Sequence, residues 1–212
     1  MLKPYLTLAS VLLVILAACS PGNQAAPTAI TTAPTDAPTE EAMPDMTEEM
    51  AQATEEDAAP TGYSGPDWAT LPITNVRTGE TFTLADFAGK TVFVEPMATW
   101  CTNCRRQLNS NVRPVFEQSD PEQIVFVSFS VAENVTEERL AEYADAQGWQ
   151  WIFAVASTEL TAGITADYGR GVITPPSTPH FIISPTGTLS ALHTGFEEAD
   201  TLLAQINEAM GS

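Results

Sequence analysis

Two cysteines separated by two residues stand in the run Trp100-Cys101-Thr102-Asn103-Cys104-Arg105, shortly after an apolar stretch, Thr91-Val92-Phe93-Val94, and a carboxylate, Glu95. Thiols at that spacing can close an intramolecular disulfide, so the chemistry they offer is thiol–disulfide exchange. At the start of a helix, unpaired N–H groups and the partial positive charge of the helix end favour a thiolate. Cys101 is therefore the expected attacking nucleophile and Cys104 the resolving thiol. Two other readings of the pair stay open at this point. Half of a tetrahedral zinc site has the same spacing, although the further candidate ligands are only Cys19, His180 and His193. A purely structural disulfide is the other reading, but so short a loop gains little closure entropy.

Positioning these cysteines requires a strand before them and a helix from them. The patterning predicts a hairpin over Thr74–Leu84 turning at Thr78-Gly79-Glu80, then a central strand over Thr91–Glu95 that ends or bulges at Pro96, which cannot donate a ladder bond. A helix is expected from Cys101 to about Gln118, kinked or broken near Arg113 by Pro114. Further strands are expected at Ile124–Ser130 and Trp151–Val155, with helices at about Thr136–Gln147, stopped by Gly148, and Thr158–Tyr168. Gly169, Gly171 and Pro175-Pro176 mark a loop, His180–Ile183 and Leu189–His193 flank a turn at Pro185-Thr186-Gly187, and a helix over Asp200–Met210 closes the chain. Strands alternating with helices, followed by a hairpin and a helix, make an α/β fold: a central mixed sheet flanked by helices on both faces, with an N-terminal hairpin extension.

With 8 Lys plus Arg against 27 Asp plus Glu, and a formal net charge of -19, the 212-residue chain lacks the basic surface a phosphate backbone demands. Nucleic acid is thereby excluded as a partner. Lys3 precedes an apolar run from Tyr5 to Ala18, short for a membrane span and the right length for a signal-peptide core. The run ends Leu16-Ala17-Ala18-Cys19-Ser20, which resembles the lipobox of bacterial lipoproteins, in which the cysteine is acylated and becomes the mature N-terminus. An ordinary signal peptide cut near Ala18 is the alternative. Acylation of Cys19 would anchor the chain at about 0.8 kcal/mol per buried methylene, to the outer membrane of a diderm or the cell membrane of a monoderm. Residues 20–67, with Pro21, Pro27, Pro34, Pro38, Pro44, Pro60 and Pro66, repeated Thr and Ala and an acidic run at Glu55-Glu56-Asp57, lack the apolar content to order a backbone. They read as a tether reaching roughly 40 Å. The expected organisation is thus a signal peptide over 1–18, a lipidated cysteine and acidic tether over 19–67, and one domain over 68–212.

The order of motifs carries a family resemblance. Val94-Glu95-Pro96-Met97-Ala98-Thr99-Trp100-Cys101-Thr102-Asn103-Cys104 resembles the active-site segment of thioredoxin-like proteins, and Ser177-Thr178-Pro179-His180-Phe181-Ile182-Ile183-Ser184-Pro185-Thr186-Gly187 resembles their cis-proline loop and following hairpin. The resemblance spans about residues 69 to 210. It is closest to membrane-anchored thiol–disulfide oxidoreductases (redoxins) of the cytochrome c maturation type. It implies that Cys101 attacks a partner disulfide and Cys104 resolves the mixed disulfide. It also implies that Glu95 is the buried carboxylate relaying a proton to or from Cys104, its pKa raised toward neutrality by burial. Pro179 would be cis, leaving Thr178 backbone groups free to pair with a substrate peptide, and Trp100 would shield the site.

Asn103 stands where thioredoxins usually carry proline, and the dipeptide between the cysteines strongly affects reduction potential. Pro96-Met97 also replaces two positions typically apolar or aromatic in the family. The expected function is an extracytoplasmic, membrane-anchored enzyme exchanging the Cys101–Cys104 disulfide with exported protein thiols and disulfides, as a reductase recharged by a membrane electron donor. No cofactor or metal is expected beyond that redox-active disulfide, and the expected state is a monomer. A Cu(I)-binding metallochaperone using Cys101, Cys104 and His180 is the alternative, although copper-delivery relatives use a wider cysteine spacing. A thiol peroxidase ranks below both.

Overall fold

The computed structural model describes residues 63–211. The expected signal segment, Cys19 and most of the tether lie outside the described residues. The tether's last residues rest on the domain, since the Ser64 N–H and Oγ both donate to the Thr186 carbonyl at 2.9 Å. Trp68 follows, buried, its indole N–H on Asp167 at 2.6 Å.

The expected hairpin forms from β1 (Ile73–Thr74) and β2 (Thr81–Phe82), with Gly79 at φ 72° in the turn, a left-handed conformation that suits glycine. Four strands make the main sheet: β3 (Thr91–Met97), β4 (Ile124–Ser130), β5 (Ile152–Val155) and β6 (Phe181–Ile183). Their spatial order is β5-β4-β3-β6, with β6 antiparallel to β3 and the other pairs parallel. The β-branched and aromatic runs that fill β3 and β4 suit a sheet buried on both faces. Alternation along β3 sends Phe93 and Met97 to one face and Val92 and Val94 to the other, each into its own core cluster.

Helices cover both faces. On the Phe93 side lie α1 (Thr102–Gln107), α2 (Arg113–Gln118), α3 (Glu137–Gln147) and α5 (Ala199–Met210), which contribute Cys104, Val115, Leu140, Leu202 and Ile206. The opposite side receives Leu160 and Ile164 from α4 (Thr158–Tyr168), with Trp68 packed edge-on to Phe181. Caps fall where the sequence placed them. Thr136 accepts from the Arg139 N–H at 3.2 Å, and Gly148, at φ 71°, ends α3.

Two expectations are corrected here. The helix from the cysteines is not simply kinked at Pro114: a π turn over Leu108–Val112 separates α1 from α2, with the Arg113 N–H donating to the Leu108 carbonyl five residues back. Widening the turn just before a proline accommodates the missing N–H and the ring without breaking the helix. The hairpin after β6 is also less regular than expected. Its return arm meets the sheet only at isolated bridges, His180 with His193 and Ile183 with Leu189.

The Phe93-side core is anchored on aromatic contacts, with Phe153 fully buried and stacked on Trp149 at 5.3 Å between centroids. Phe153→Ala is expected to cost about 3–5 kcal/mol in urea unfolding of the oxidised protein, through lost burial and the cavity left behind. A loss under about 1 kcal/mol would show that this stack does not hold the sheet to its helices.

Candidate active site

Cys101 occupies the N-cap of α1 with extended backbone (φ -78°, ψ 106°), and Cys104 sits in the helix's first turn. A disulfide joins them with their Cα atoms 5.3 Å apart. The surroundings of the two sulfurs differ. Cys101 Sγ accepts the Cys104 backbone N–H at 3.0 Å, so the helix end supplies a donor to that sulfur. Cys104 Sγ lies 3.1 Å from the Pro175 carbonyl oxygen, an acceptor that a reduced Cys104 thiol can donate to and that disfavours negative charge there. The geometry therefore favours Cys101 as thiolate and Cys104 as thiol once the disulfide opens. Both are nearly buried, whereas Trp100 beside them is 64% exposed. Trp100 is a platform at the rim of the site rather than a core residue.

The loop that closes the site is Pro175–Pro179. Asn103 Nδ2 donates to the Pro176 carbonyl at 2.9 Å, so successive proline carbonyls grip the turn between the cysteines. Neither the Pro175 nor the Pro176 carbonyl was legible in the sequence as a contact of the cysteine turn. The resemblance placed a cis proline here with a free Thr178 backbone, and the structure differs on both points. Among the described residues no peptide bond is cis, and Thr178 instead turns the chain in the left-handed region (φ 45°, ψ 56°). Its N–H donates to the Pro175 carbonyl at 2.8 Å, so the local turn consumes the backbone donor expected to meet a substrate, and its hydroxyl donates to the Gly195 carbonyl at 2.5 Å.

Pro96 does not end β3 as expected. The Met97 carbonyl accepts from Val131 and the Thr91 N–H donates to Gln123, so odd-numbered residues of β3 turn their backbone groups toward β4 and even-numbered ones toward β6. Pairing with β6 runs through Val92–Ile183, Phe93–Ile182 and Val94–Phe181. Continued by two residues, that register sets Pro96 opposite Pro179. Neither has an N–H to lose, so the ladder toward β6 stops cleanly while Glu95 and Met97 stay paired with Ser128 and Ser130 of β4.

Glu95 shares its strand face with Phe93 and Met97, which pack into the same cluster as Cys101 and Cys104. The sheet thus places Glu95 on the face of β3 that carries the cysteine cluster. The carboxyl is fully buried, and among the described residues neither oxygen has a hydrogen-bond partner. Burial pushes its pKa well above the usual carboxylate value of 4.5.

A second polar group lies on this face. His180 is buried and stacked on Phe93 at 5.4 Å, and burial holds its pKa below the ordinary imidazole value, with Gln205 and Glu197 acting in the other direction. Its Nε2 lies 3.1 Å from Gln205 Oε1 and 3.5 Å from Glu197 Oε2, directed away from any bond to the cysteines. His193 stacks beside it at 5.2 Å, with Nδ1 3.7 Å from Glu197 Oε1. Gln107 of α1 holds the Glu197 backbone at both ends, Nε2 to the carbonyl at 3.1 Å and Oε1 from the N–H at 3.2 Å. Sequence reading singled out both histidines but not Gln107, Glu197 or Gln205. Their only signal was a carboxylate four residues after His193.

No protein-family model matches the chain. It is 28% identical over 134 residues to the thioredoxin-like protein YneN of Bacillus subtilis (strain 168), covering 63% of this chain and 71% of that one. Among solved structures, it is similar to a thiol:disulfide interchange protein of the thioredoxin family from Chlorobium tepidum TLS, with TM-score 0.55 and 22% identity over 72% of this chain and 99% of that one. It is also similar to a secreted Mycobacterium tuberculosis disulfide oxidoreductase homologous to E. coli DsbE, with TM-score 0.52 and 14% identity over 66% of this chain and 97% of that one. The fold is the thioredoxin-like α/β fold.

The buried carboxyl has a stability signature. An acid whose folded-state pKa lies above its unfolded value makes the folded protein bind more protons, so stability falls as pH rises from about the ordinary value of 4.5 and levels off beyond the raised one. Glu95→Gln abolishes that slope. The variant is expected to melt several degrees above the parent at pH 8 and close to it at pH 4, both disulfides closed. A gap that does not change with pH would mean that Glu95 is not the buried acid described.

Proposed function

We propose that this thioredoxin-like chain is a thiol–disulfide oxidoreductase that works outside the cytoplasm as a reductase of exported proteins, held to a membrane by acylated Cys19 and recharged by a membrane electron donor. The observation that carries the exchange chemistry is the Cys101–Cys104 disulfide at a helix N-terminus, with a backbone donor on one sulfur and a carbonyl acceptor beside the other. In the reduced protein, the Cys101 thiolate attacks one sulfur of a substrate disulfide, and the other substrate sulfur leaves as a thiolate that takes up a proton. Cys104 then gives its proton to the Glu95 carboxylate and attacks Cys101 Sγ; the mixed disulfide breaks, the second substrate sulfur leaves as a thiolate that takes up a proton, and the protein disulfide closes. Two electrons pass from the dithiol to the substrate; the membrane donor restores them.

The reductase direction is supported by how little stabilises the reduced form. Among the described residues Cys101 Sγ receives one backbone N–H and no bonded side-chain cation, and it is buried in an apolar cluster. A poorly stabilised thiolate makes the disulfide hard to reduce and the dithiol a willing donor. The secreted relative, the signal-like segment before Cys19 and the acidic tether support the location. His180 Nε2 faces Gln205 and Glu197 rather than either cysteine, which gives no support to copper held jointly with the cysteines.

Cys104→Ser is expected to accumulate covalent complexes with exported proteins through Cys101, visible on non-reducing gels and dissolved by dithiothreitol, while Cys101→Ser forms none. The parent should catalyse reduction of insulin disulfides, and Glu95→Gln should slow it about a hundredfold, the scale of a lost general base. Absence of both trapped complexes and insulin reduction would defeat the proposal.

A further inference from the structure

We propose that His180, His193 and Glu197 form a binding site for a borderline divalent metal ion of the Zn2+ type, separate from the redox cysteines. One ligand atom from each, two imidazole nitrogens and a carboxylate oxygen, lies within 4.8 Å of the others. Two histidines and one carboxylate form the donor set that suits Zn2+ with an open position; hard Mg2+ and Ca2+ require mostly oxygen, and Cu(I) prefers thiolates. The chain's net charge of -19 favours a cation at any of its surfaces, and here one is met by a built set of donors.

The side chain between the ligands shows where the ion goes. Gln205 Nε2 donates to Glu197 Oε2 at 2.7 Å and lies 3.0 Å from His193 Nδ1. A carboxylate only accepts, which fixes the nitrogen end of the amide toward Glu197 and requires His193 Nδ1 to present a lone pair. Two lone pairs thus converge on one amide nitrogen, and His180 Nε2 donates to the oxygen of the same amide at 3.1 Å. Gln205 Nε2 stands among the three ligand groups, where the cation would sit. The Gln205 side chain is long and its terminal torsion soft, so the amide can swing aside and yield that place to the ion.

The supporting structure is also present. His180 sits in a strand-side bridge whose backbone bonds to His193 run in both directions, at 3.0 and 2.9 Å, so the two rings are held side by side. Binding at Nε2 leaves the ring proton on Nδ1, a buried atom with no other hydrogen-bond partner among the described residues. Glu197 is fixed through its backbone by Gln107, three residues beyond Cys104 on the same helix. His193 and Glu197 are partly open to solvent, at 29% and 20% exposure, which gives the ion a way in.

The test is a Zn2+ titration of the full-length oxidised protein against a chromophoric chelator, with the Cys101–Cys104 disulfide closed so that neither sulfur can ligate. The parent should bind one saturable equivalent. His193→Ala and Glu197→Gln, each verified as folded by circular dichroism, should weaken it by more than about tenfold. Co2+ in place of Zn2+ should give d–d bands without a thiolate charge-transfer band. No saturable equivalent, equal affinity in both variants, or a thiolate band would overturn the site. Insulin reduction is measured on the same samples, so failure of the metal site stays distinct from failure of the redox reading.

Discussion

Cys101 and Cys104 share a disulfide where the chain passes from extended backbone into a helix, and the rest of the molecule is arranged around making that turn at Cys101. The transition holds their Cα atoms 5.3 Å apart and points a helix-end N–H at the first sulfur. A turn that begins a helix needs its position fixed from outside. β3 supplies this from below, and the carbonyls of Pro175 and Pro176 supply it from the side. Proline suits that task because its carbonyl accepts while it presents no competing N–H.

The same sheet imposes a cost at Glu95. A central strand covered on both faces offers no water to a carboxyl, and none of its neighbours among the described residues donates to it. Such a group is retained against stability, as buried unpaired polar atoms at functional sites commonly are. The register explains how it stays there. Paired with Ser128 of β4 and followed by Pro96 facing Pro179, Glu95 lies where β3 keeps one neighbour and loses the other. The site therefore sits at the end of the β3–β6 ladder, the point at which backbone pairing stops and side-chain chemistry can begin.

Much of this was legible in the residues. Apolar runs marked β3 and β4, Thr136 and Gly148 bounded α3, and the C-x-x-C with Glu95 six residues ahead located the site. What escaped was whatever depends on register and tertiary closure. Pro96 read as a strand terminator because a single sequence does not say which neighbour its missing N–H would face. Pro114 read as a simple kink because a π turn is chosen by the packing of Leu108 and Val112, both fully buried. Glu197 and Gln205 were not singled out at all, since only the fold brings them to the two histidines.

The central claim is that the two sulfurs are made unequal by their polar neighbours, a donor at Cys101 and an acceptor at Cys104. Its most direct test is the rate of iodoacetamide labelling of each cysteine in the freshly reduced protein near pH 7, resolved by peptide mass spectrometry. The account predicts that Cys101 is alkylated well ahead of Cys104. Equal rates, or labelling of Cys104 first, would contradict it.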